Sequence, residues 1–335
     1  PSARAPRPEA TPRPKSRATI DSVPAFKRIP ATPFVVDAFA CGAIDGALAY
    51  FLTHYHSDHY RGLSGAAARA YHPAAMVYCS PVTANLVHRY LDVPDGRLCR
   101  LDVGKMYLIH GRLVGVLDAN HCPGSVMFVF GERGHGAAWT WCLHTGDFRA
   151  HPRIMDQVLV PADALVASVT GPVNARHLLY DCIYLDTTYA DPKYVFPAQS
   201  AAVAACVEHV HELLVGAKDP QGQQRLAPLK LLVVFGSYFI GKERLVLALA
   251  ERLDCTFYAD QRKRAVLKEL HWPQLTARLT EEPHFTAVHL ASMAICGRER
   301  LGEYLESFEG RFTHVLGIRP TGWTFEEREN SEPAA

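Results

Sequence analysis

The run His54-Tyr55-His56-Ser57-Asp58-His59 holds three imidazoles and a carboxylate in six residues. Those donor types suit a divalent zinc ion, with bonds near ~2.0–2.2 Å. The run directly follows the apolar segment LAYFLT. Residues two apart on a strand face the same way, so His54 and His56 point off the strand end together. Asp58 and His59 fall in the turn that follows and aim at a neighbouring point. An ion held by such donors makes water acidic enough to attack as a nucleophile near neutral pH.

One strand end cannot surround an ion, so further donors must arrive from other strand-to-loop boundaries. Two positions fit. His121 follows RLVGVLDAN and precedes the tight turn begun by Cys122, and Asp147 follows WTWCLH through Thr-Gly. Asp147 can also bridge two metals, which sit ~3.5–4 Å apart in such sites. His144, just before it, is expected to support the ligands rather than to bind. Cys122 is expected to be packed, so that Cys122→Ala keeps the metal.

The elements that deliver these residues are short apolar runs at strand spacing. They are FVVDAF (34–39), LAYFLTH (48–54), AMVYCS (75–80), RLVGVLDAN (112–120), SVMFVFG (125–131), WTWCLHTGD (139–147) and CIYLDTTY (182–189). PVTANLVHRYL (81–91) has helical spacing. Beyond about residue 190 the rhythm becomes alternating α/β: a helix in 196–217, the strand KLLVVFG (230–236), a helix over 240–253 and a last strand-like piece, THVLGIRPTGW (313–323). Four segments are expected: a disordered, basic, proline-rich arm over 1–33, a strand-rich unit over 34–190, an α/β unit over 191–324 and a polar tail over 325–335. A start without methionine suggests an excised piece.

Composition narrows the class. The chain has 335 residues, 48% of them hydrophobic, and a formal net charge of +1. That excludes wholesale disorder, and any nucleic-acid contact must be a local patch. No apolar run approaches the roughly 20 residues that span a bilayer. Nine cysteines, an odd number at irregular spacing, read as free thiols in a reducing compartment.

GSYFIGKE (236–243) nearly spells a phosphate-binding loop between a strand and a helix, but Glu243 stands where a magnesium-binding hydroxyl belongs. What remains is a glycine turn at a helix start, with Lys242 adding charge for an anion. Arg319 and Thr321, in RPTGWT, offer a cation and a hydroxyl. Lys242, Arg319 and Thr321 are therefore candidate substrate contacts, and Tyr238 and Trp323 candidate stacking platforms. The basic run at 261–264 reads as a solvated helix face.

FVVDAF, THYHSDH, DANHCPGS, HTGDF and YLDTTY, in this order, resemble the metallo-β-lactamase fold in its β-CASP branch. With GSYFIGKE and RPTGWT added, the chain is similar over about 34–324 to the DNA cross-link repair exonucleases, relatives of Artemis and Apollo. The resemblance implies an αββα-type α/β sandwich joined to a β-CASP α/β domain. It implies that His54, His56 and His121 hold one zinc firmly, that Asp147 is shared, and that Asp58 and His59 serve a possible second metal. Asp58, His59 and Asp147 would be catalytic, with Asp37 and Asp186 supporting. It implies a nuclear 5′-to-3′ exonuclease on DNA ends, a 5′-phosphate being favoured, active in interstrand cross-link repair as a monomer, with repair-protein partners unread. The alternatives from residue types alone are a small-molecule metallo-hydrolase and an inactive scaffold. The last is an alternative because the resemblance implies a closing segment with a further histidine, which the ending TFEERENSEPAA lacks.

Overall fold

Phe34–Val36, Ala49–Phe51, Met76–Cys79 and Leu98–Arg100 pair in that order into a parallel four-stranded sheet. The computed structural model describes residues 17–133, 139–159, 180–218, 224–226 and 229–322. A second sheet runs Cys182–Tyr184, Trp139–His144, Val126–Arg133, Arg112–Asp118, Met106–Ile109; its pairs are antiparallel except the first, which is parallel. The two sheets pack face to face. Phe34 and Phe51 from the first meet Phe128 and Phe130 from the second, with ring centroids of Phe51 and Phe130 5.0 Å apart.

Alternation assigns the other faces. Val35, Tyr50 and Leu52 turn outward into a core shared with the helix Pro81–Leu91 and its neighbours. On the far side Leu117, Val129 and Leu143 meet Ile154 of the helix Pro152–Leu159. The result is an α/β metallo-β-lactamase fold with helix, sheet, sheet and helix in layers. Burial on both faces is why these strands read as continuous apolar runs. The helix Pro81–Leu91 spans the expected residues: Pro81 presets its first turn, and the Ser80 hydroxyl accepts from Thr83 N at 3.2 Å. Leu98–Arg100 and Met106–Ile109, too short to show a period, were not expected as strands.

A third sheet is wholly parallel, ordered Leu279–Thr280, Phe257–Ala259, Val288–Ser292, Leu231–Ser237, His314–Ile318. The helices Gln199–Val215 and Glu243–Arg252 contribute to the core on one face, and Leu301 of Arg298–Glu306 packs with Leu232 and Val234 on the other. Its body touches the first through Arg89–Glu269 at 2.9 Å and through Phe239, whose ring contacts Tyr55 and Tyr90. No helix among the described residues is long and apolar enough to cross a membrane.

One expectation is corrected at the start of the chain. Residues 1–16 lie outside the described residues, but 17–33 do not form a disordered arm. Ala18–Thr19 pairs in parallel with Ile44–Asp45, and Val23 and Ile29 are 2% and 3% exposed. Two apolar anchors offset the ordering cost of this proline-rich stretch. A second correction concerns the basic run at 261–264. In the helix Gln261–Glu269 the Lys263 side chain is only 11% exposed, because its ammonium pairs inward with Glu243.

Candidate metal centre

Three loop tips meet where the two sandwich sheets share an edge. The first leaves the strand Ala49–Phe51, the second follows Arg112–Asp118, and the third follows Trp139–His144. The Thr53 carbonyl accepts from Val126 N at 2.9 Å, stitching the first tip to the second sheet. His59 lies in the one-turn helix Ser57–Tyr60, whose start is closed by the His56 carbonyl accepting from His59 N and Tyr60 N, each at 3.1 Å.

One ligand atom from each of His54, His56, His121 and Cys122 lies within 4.8 Å of the others, and the same holds for His54, His59 and Asp147. His56 Nδ1 and His121 Nε2 are 3.2 Å apart. Asp147 faces three rings: Oδ1 is 3.1 Å from His59 Nε2, and Oδ2 is 3.6 Å from His121 Nε2 and 3.9 Å from His54 Nε2.

Hydrogen bonds set the ring orientations. The Thr53 hydroxyl donates to Asp37 Oδ2 at 2.7 Å, so its oxygen is left to accept from His54 Nδ1 at 3.0 Å. That puts the His54 proton on Nδ1 and leaves the Nε2 lone pair facing the cluster. Asp37 Oδ1 accepts from Thr53 N at 2.9 Å, and His59 Nδ1 donates to Asp37 Oδ2 at 2.7 Å. Asp37 thus supports His59 directly and His54 through Thr53. His144 stands behind the third tip: Nε2 donates to Phe26 O at 3.1 Å and Nδ1 accepts from Gly146 N at 3.2 Å. Gly146 has φ +52°, and a Cβ there would stand 2.7 Å from Thr53 Cβ, so only glycine lets the third tip close on the first.

The donor set fits a metal ion. Nε2 of His54 faces the cluster buried without any hydrogen-bond partner, a cost that a coordinated cation removes, while His56 turns Nδ1 toward His121. Burial, then the neighbouring imidazoles, holds His54 well below the ordinary histidine range. Burial likewise lowers His56, and burial with the nearby His56 lowers His121 to about 4. Neutral imidazole is the form that ligates. His59 behaves oppositely. Burial disfavours its cation, but hydrogen bonds to Asp147 and Asp37 raise it to about 10. Burial would raise Asp147, yet its hydrogen bond with His59 holds it below the usual carboxylate range.

These shifts give a pH prediction for the metal-free chain. His59 titrates near 6.5 unfolded and near 10 folded, so its contribution is complete below pH 6.5 and lost as pH rises through about 10. The stability difference between the wild type and His59→Gln is expected to narrow steadily from pH 7 to 10 in chemical denaturation. A gap that stays constant across that range contradicts the assigned ion pair.

Residues 273–334 match the DNA repair metallo-beta-lactamase family. The chain is 39% identical over 309 residues to the DNA cross-link repair protein pso2/snm1 of Schizosaccharomyces pombe, covering 92% of this chain and 50% of that protein. It is 37% identical to the Homo sapiens DNA cross-link repair 1A protein, covering 90% of this chain and 25% of that one. Against the 5' exonuclease Apollo of Gallus gallus it is 36% identical, covering 66% of this chain and 40% of the relative. The chain is similar over most of its length to DNA cross-link repair proteins, and its residues 273–334 match the DNA repair metallo-beta-lactamase model. It spans about half the length of the fission-yeast relative and less of the other two. The family match takes in 325–334, most of the expected polar tail.

Other expected site residues fall less centrally. Asp58 joins neither donor group. Its side chain is 77% exposed and its Oδ2 is 3.5 Å from His59 Nε2, because its place in the first turn of a surface helix points it to the mouth. Asp186 does not brace a ligand with its carboxylate: Oδ1 accepts from Thr188 N and Oγ1 at 2.9 and 2.6 Å, closing a local turn, while its own N–H donates to Thr145 Oγ1 at 3.0 Å.

Lys242 caps the helix Glu243–Arg252 at φ +79°. Burial, then Arg149, lowers its pKa. Its turn is not a vacant anion cradle. The Glu243 carboxylate folds back and Oε1 accepts from Gly241 N at 2.9 Å. Arg319 is exposed, with its charge felt at Cys296 in the 3-10 turn Met293–Cys296 packed on the third sheet, and Trp323 lies outside the described residues.

Cys122 sits closer to the ligands than a merely packed thiol was expected to. Burial, then Glu243, pushes its pKa well up, which keeps it a neutral thiol. Cys122→Ala is therefore expected to retain the wild-type metal content by elemental analysis; loss of the ion makes the thiol a ligand.

Two cations were not singled out in the sequence. Arg149 follows the third tip, its Nε buried without a partner, and burial, then Arg244, lowers its pKa. Arg244 donates to Asn120 Oδ1 at 2.9 Å, tying the third-sheet body to the residue before His121. Arg149 was legible only as the arginine of HTGDFR. Arg244 had no local signal.

Proposed function

We propose that this chain is a zinc-dependent DNA nuclease that degrades strands 5′ to 3′ in interstrand cross-link repair. The convergence of His54, His56, His59, His121 and Asp147 from three loop tips carries the reading. The names of the relatives supply its DNA substrate and cross-link repair setting. Neutral imidazoles and one carboxylate favour zinc among the divalent ions. We assign one firmly held ion to His54, His56, His121 and Asp147, and a second position to Asp147, His59 and Asp58. The sandwich, over 34–190, is read as the catalytic unit, and 191–324 as the β-CASP partner that walls the substrate groove. The expected setting is nuclear, and the chain acts as a monomer.

When bound, zinc supplies a Lewis acid for the phosphoryl oxygen and an acidified water for attack. The chain's own residues do the rest. Asp37 holds the His59 proton at Nδ1, and Thr53 directs the His54 lone pair inward. Asp58, at the mouth, orients the attacking water and accepts its proton at Oδ2. Arg149, Lys242 and Arg244 lie on the His121 side and give a local positive field for DNA phosphates on a nearly neutral chain. Arg319 and Thr321 are assigned to the same strand farther along.

Metal analysis of the purified chain, paired with digestion of a 5′-phosphorylated DNA strand, tests the reading. Bound zinc with release of acid-soluble nucleotides is the expected result. Bound metal with no cleavage means a non-catalytic scaffold, and opening of a chromogenic lactam in place of DNA means a small-molecule hydrolase.

A further inference from the structure

One turn in the stretch before residue 34 touches both supports of the metal centre. Ala25–Lys27 form a single 3-10 turn after Pro24. Val23 anchors it in the outer core and Ile29 in the core between the sheets. Ile29 N donates to Phe34 O at 3.1 Å, and Arg28 bridges to Val35. Phe26 is 58% exposed, so burial of its own ring does not hold the turn in place.

From this frame two bonds run inward. Lys27 Nζ donates to the Asp37 main-chain oxygen. The Phe26 carbonyl accepts from His144 Nε2 at 3.1 Å. Asp37 stands at φ +50°, a backbone state uncommon outside glycine. One residue in that state gives its carbonyl to Lys27 and its carboxylate to Thr53 and His59. His144 in turn receives the Gly146 N–H next to Asp147. The two carboxylates that flank His59 are therefore both braced by the same turn.

We infer that Lys27 is a positioning residue of the metal centre. Through Asp37 it fixes the bearing of His59, and the turn that carries it, through His144, fixes the loop that delivers Asp147. This rests on the metal reading of the cluster. The fold has other supports at the same place: Asp37 N donates to Phe51 O at 2.9 Å, and Val23 and Ile29 stay buried without the ammonium. Loss of the Lys27 bond thus acts on the site and leaves the fold. Arginine keeps a donor of similar reach, whereas methionine keeps only the stem.

The test compares the wild type, Lys27→Met, Lys27→Arg and Phe26→Ala in the full chain. Each is stripped of metal and titrated with Zn²⁺ against a chromophoric chelator. The His59 Nδ1 nitrogen shift is measured by NMR in the metal-free state. Expected results are a near-wild-type melting temperature for Lys27→Met, a displaced His59 Nδ1 signal, and Zn²⁺ held about ten- to a hundredfold more weakly at the His59 position. Lys27→Arg restores both, and Phe26→Ala, which spares the carbonyl, changes neither. Wild-type Zn²⁺ affinity with an unmoved His59 signal in Lys27→Met overturns the inference. If Lys27→Met fails to fold, Lys27→Gln is made in its place, and if both fail, Lys27 is a core residue and the inference is likewise overturned. If the wild type takes up no Zn²⁺, the metal reading fails, and the His59 signal alone then decides whether Lys27 positions that ring.

Discussion

Asp147→Ala is expected to lower hydrolysis of a 5′-phosphorylated DNA strand by at least roughly a hundred- to a thousandfold, with the fold intact. Among the described residues Asp147 is the one carboxylate within reach of both donor groups: Oδ1 meets His59 and Oδ2 faces His54 and His121. Its removal takes away the anion shared by the proposed metal positions and leaves His59 held by Asp37, with only the exposed Asp58 at 3.5 Å on the Nε2 side. The side chain is 35% exposed, so truncation opens no cavity in the core. Asp147→Asn keeps the shape and loses the charge, and is expected to lose nearly as much activity. Single-turnover digestion, read with metal content and melting temperature, separates loss of chemistry from loss of fold. Digestion at the wild-type rate by both variants removes Asp147 from the mechanism.

The legible part of this site was the part whose donors sit at strand ends. His54 and His56 follow an apolar strand at period two, and His121 and Asp147 follow the next apolar runs, so pattern and chemistry pointed to one place. Asp58 illustrates the limit. Its spacing matches the ligands, but a one-turn helix rotates it outward, and residue spacing does not carry that rotation. Thr53 was missed as the relay between Asp37 and His54, since a hydroxyl beside a histidine run carries no signal of its own. The stretch at 17–33 was misread because proline and basic residues outweigh two isolated apolar anchors in any local window. The long helix was legible by its period, and the strand Leu231–Ser237 of the third sheet by its unbroken apolar run. Its pairing order was not, because crossover connections leave no trace in a run of residues.

Lys263→Met is expected to destabilise the chain by about 3–5 kcal/mol, the usual cost of leaving a buried charge without its partner. The Glu243 and Lys263 side chains are 1% and 11% exposed, with Nζ 3.7 Å from Oε1. Burial already raises the Glu243 pKa, and the Lys263 cation is the largest influence holding it down. Burial lowers Lys263, with Glu243 opposing it, so the two charges stabilise each other. Lys263 also donates to the Tyr238 and Phe239 carbonyls at 2.9 Å each, and Glu243 accepts from Gly241 N. Together they pin the turn that presents Lys242 and seats Phe239 between Tyr55 and Tyr90. The near-match to a phosphate loop is thus a turn closed by its own carboxylate, whose Oε1 takes the Gly241 N–H while Oε2 is buried without a hydrogen-bond partner. Adding Glu243→Gln to Lys263→Met removes the stranded charge, and the amide oxygen still accepts from Gly241, so the double variant is expected to regain a large share of the loss. A double-mutant cycle by chemical denaturation measures the coupling. Additive effects of the two substitutions contradict a buried, mutually dependent pair and return the basic run to the solvated surface that its composition suggests.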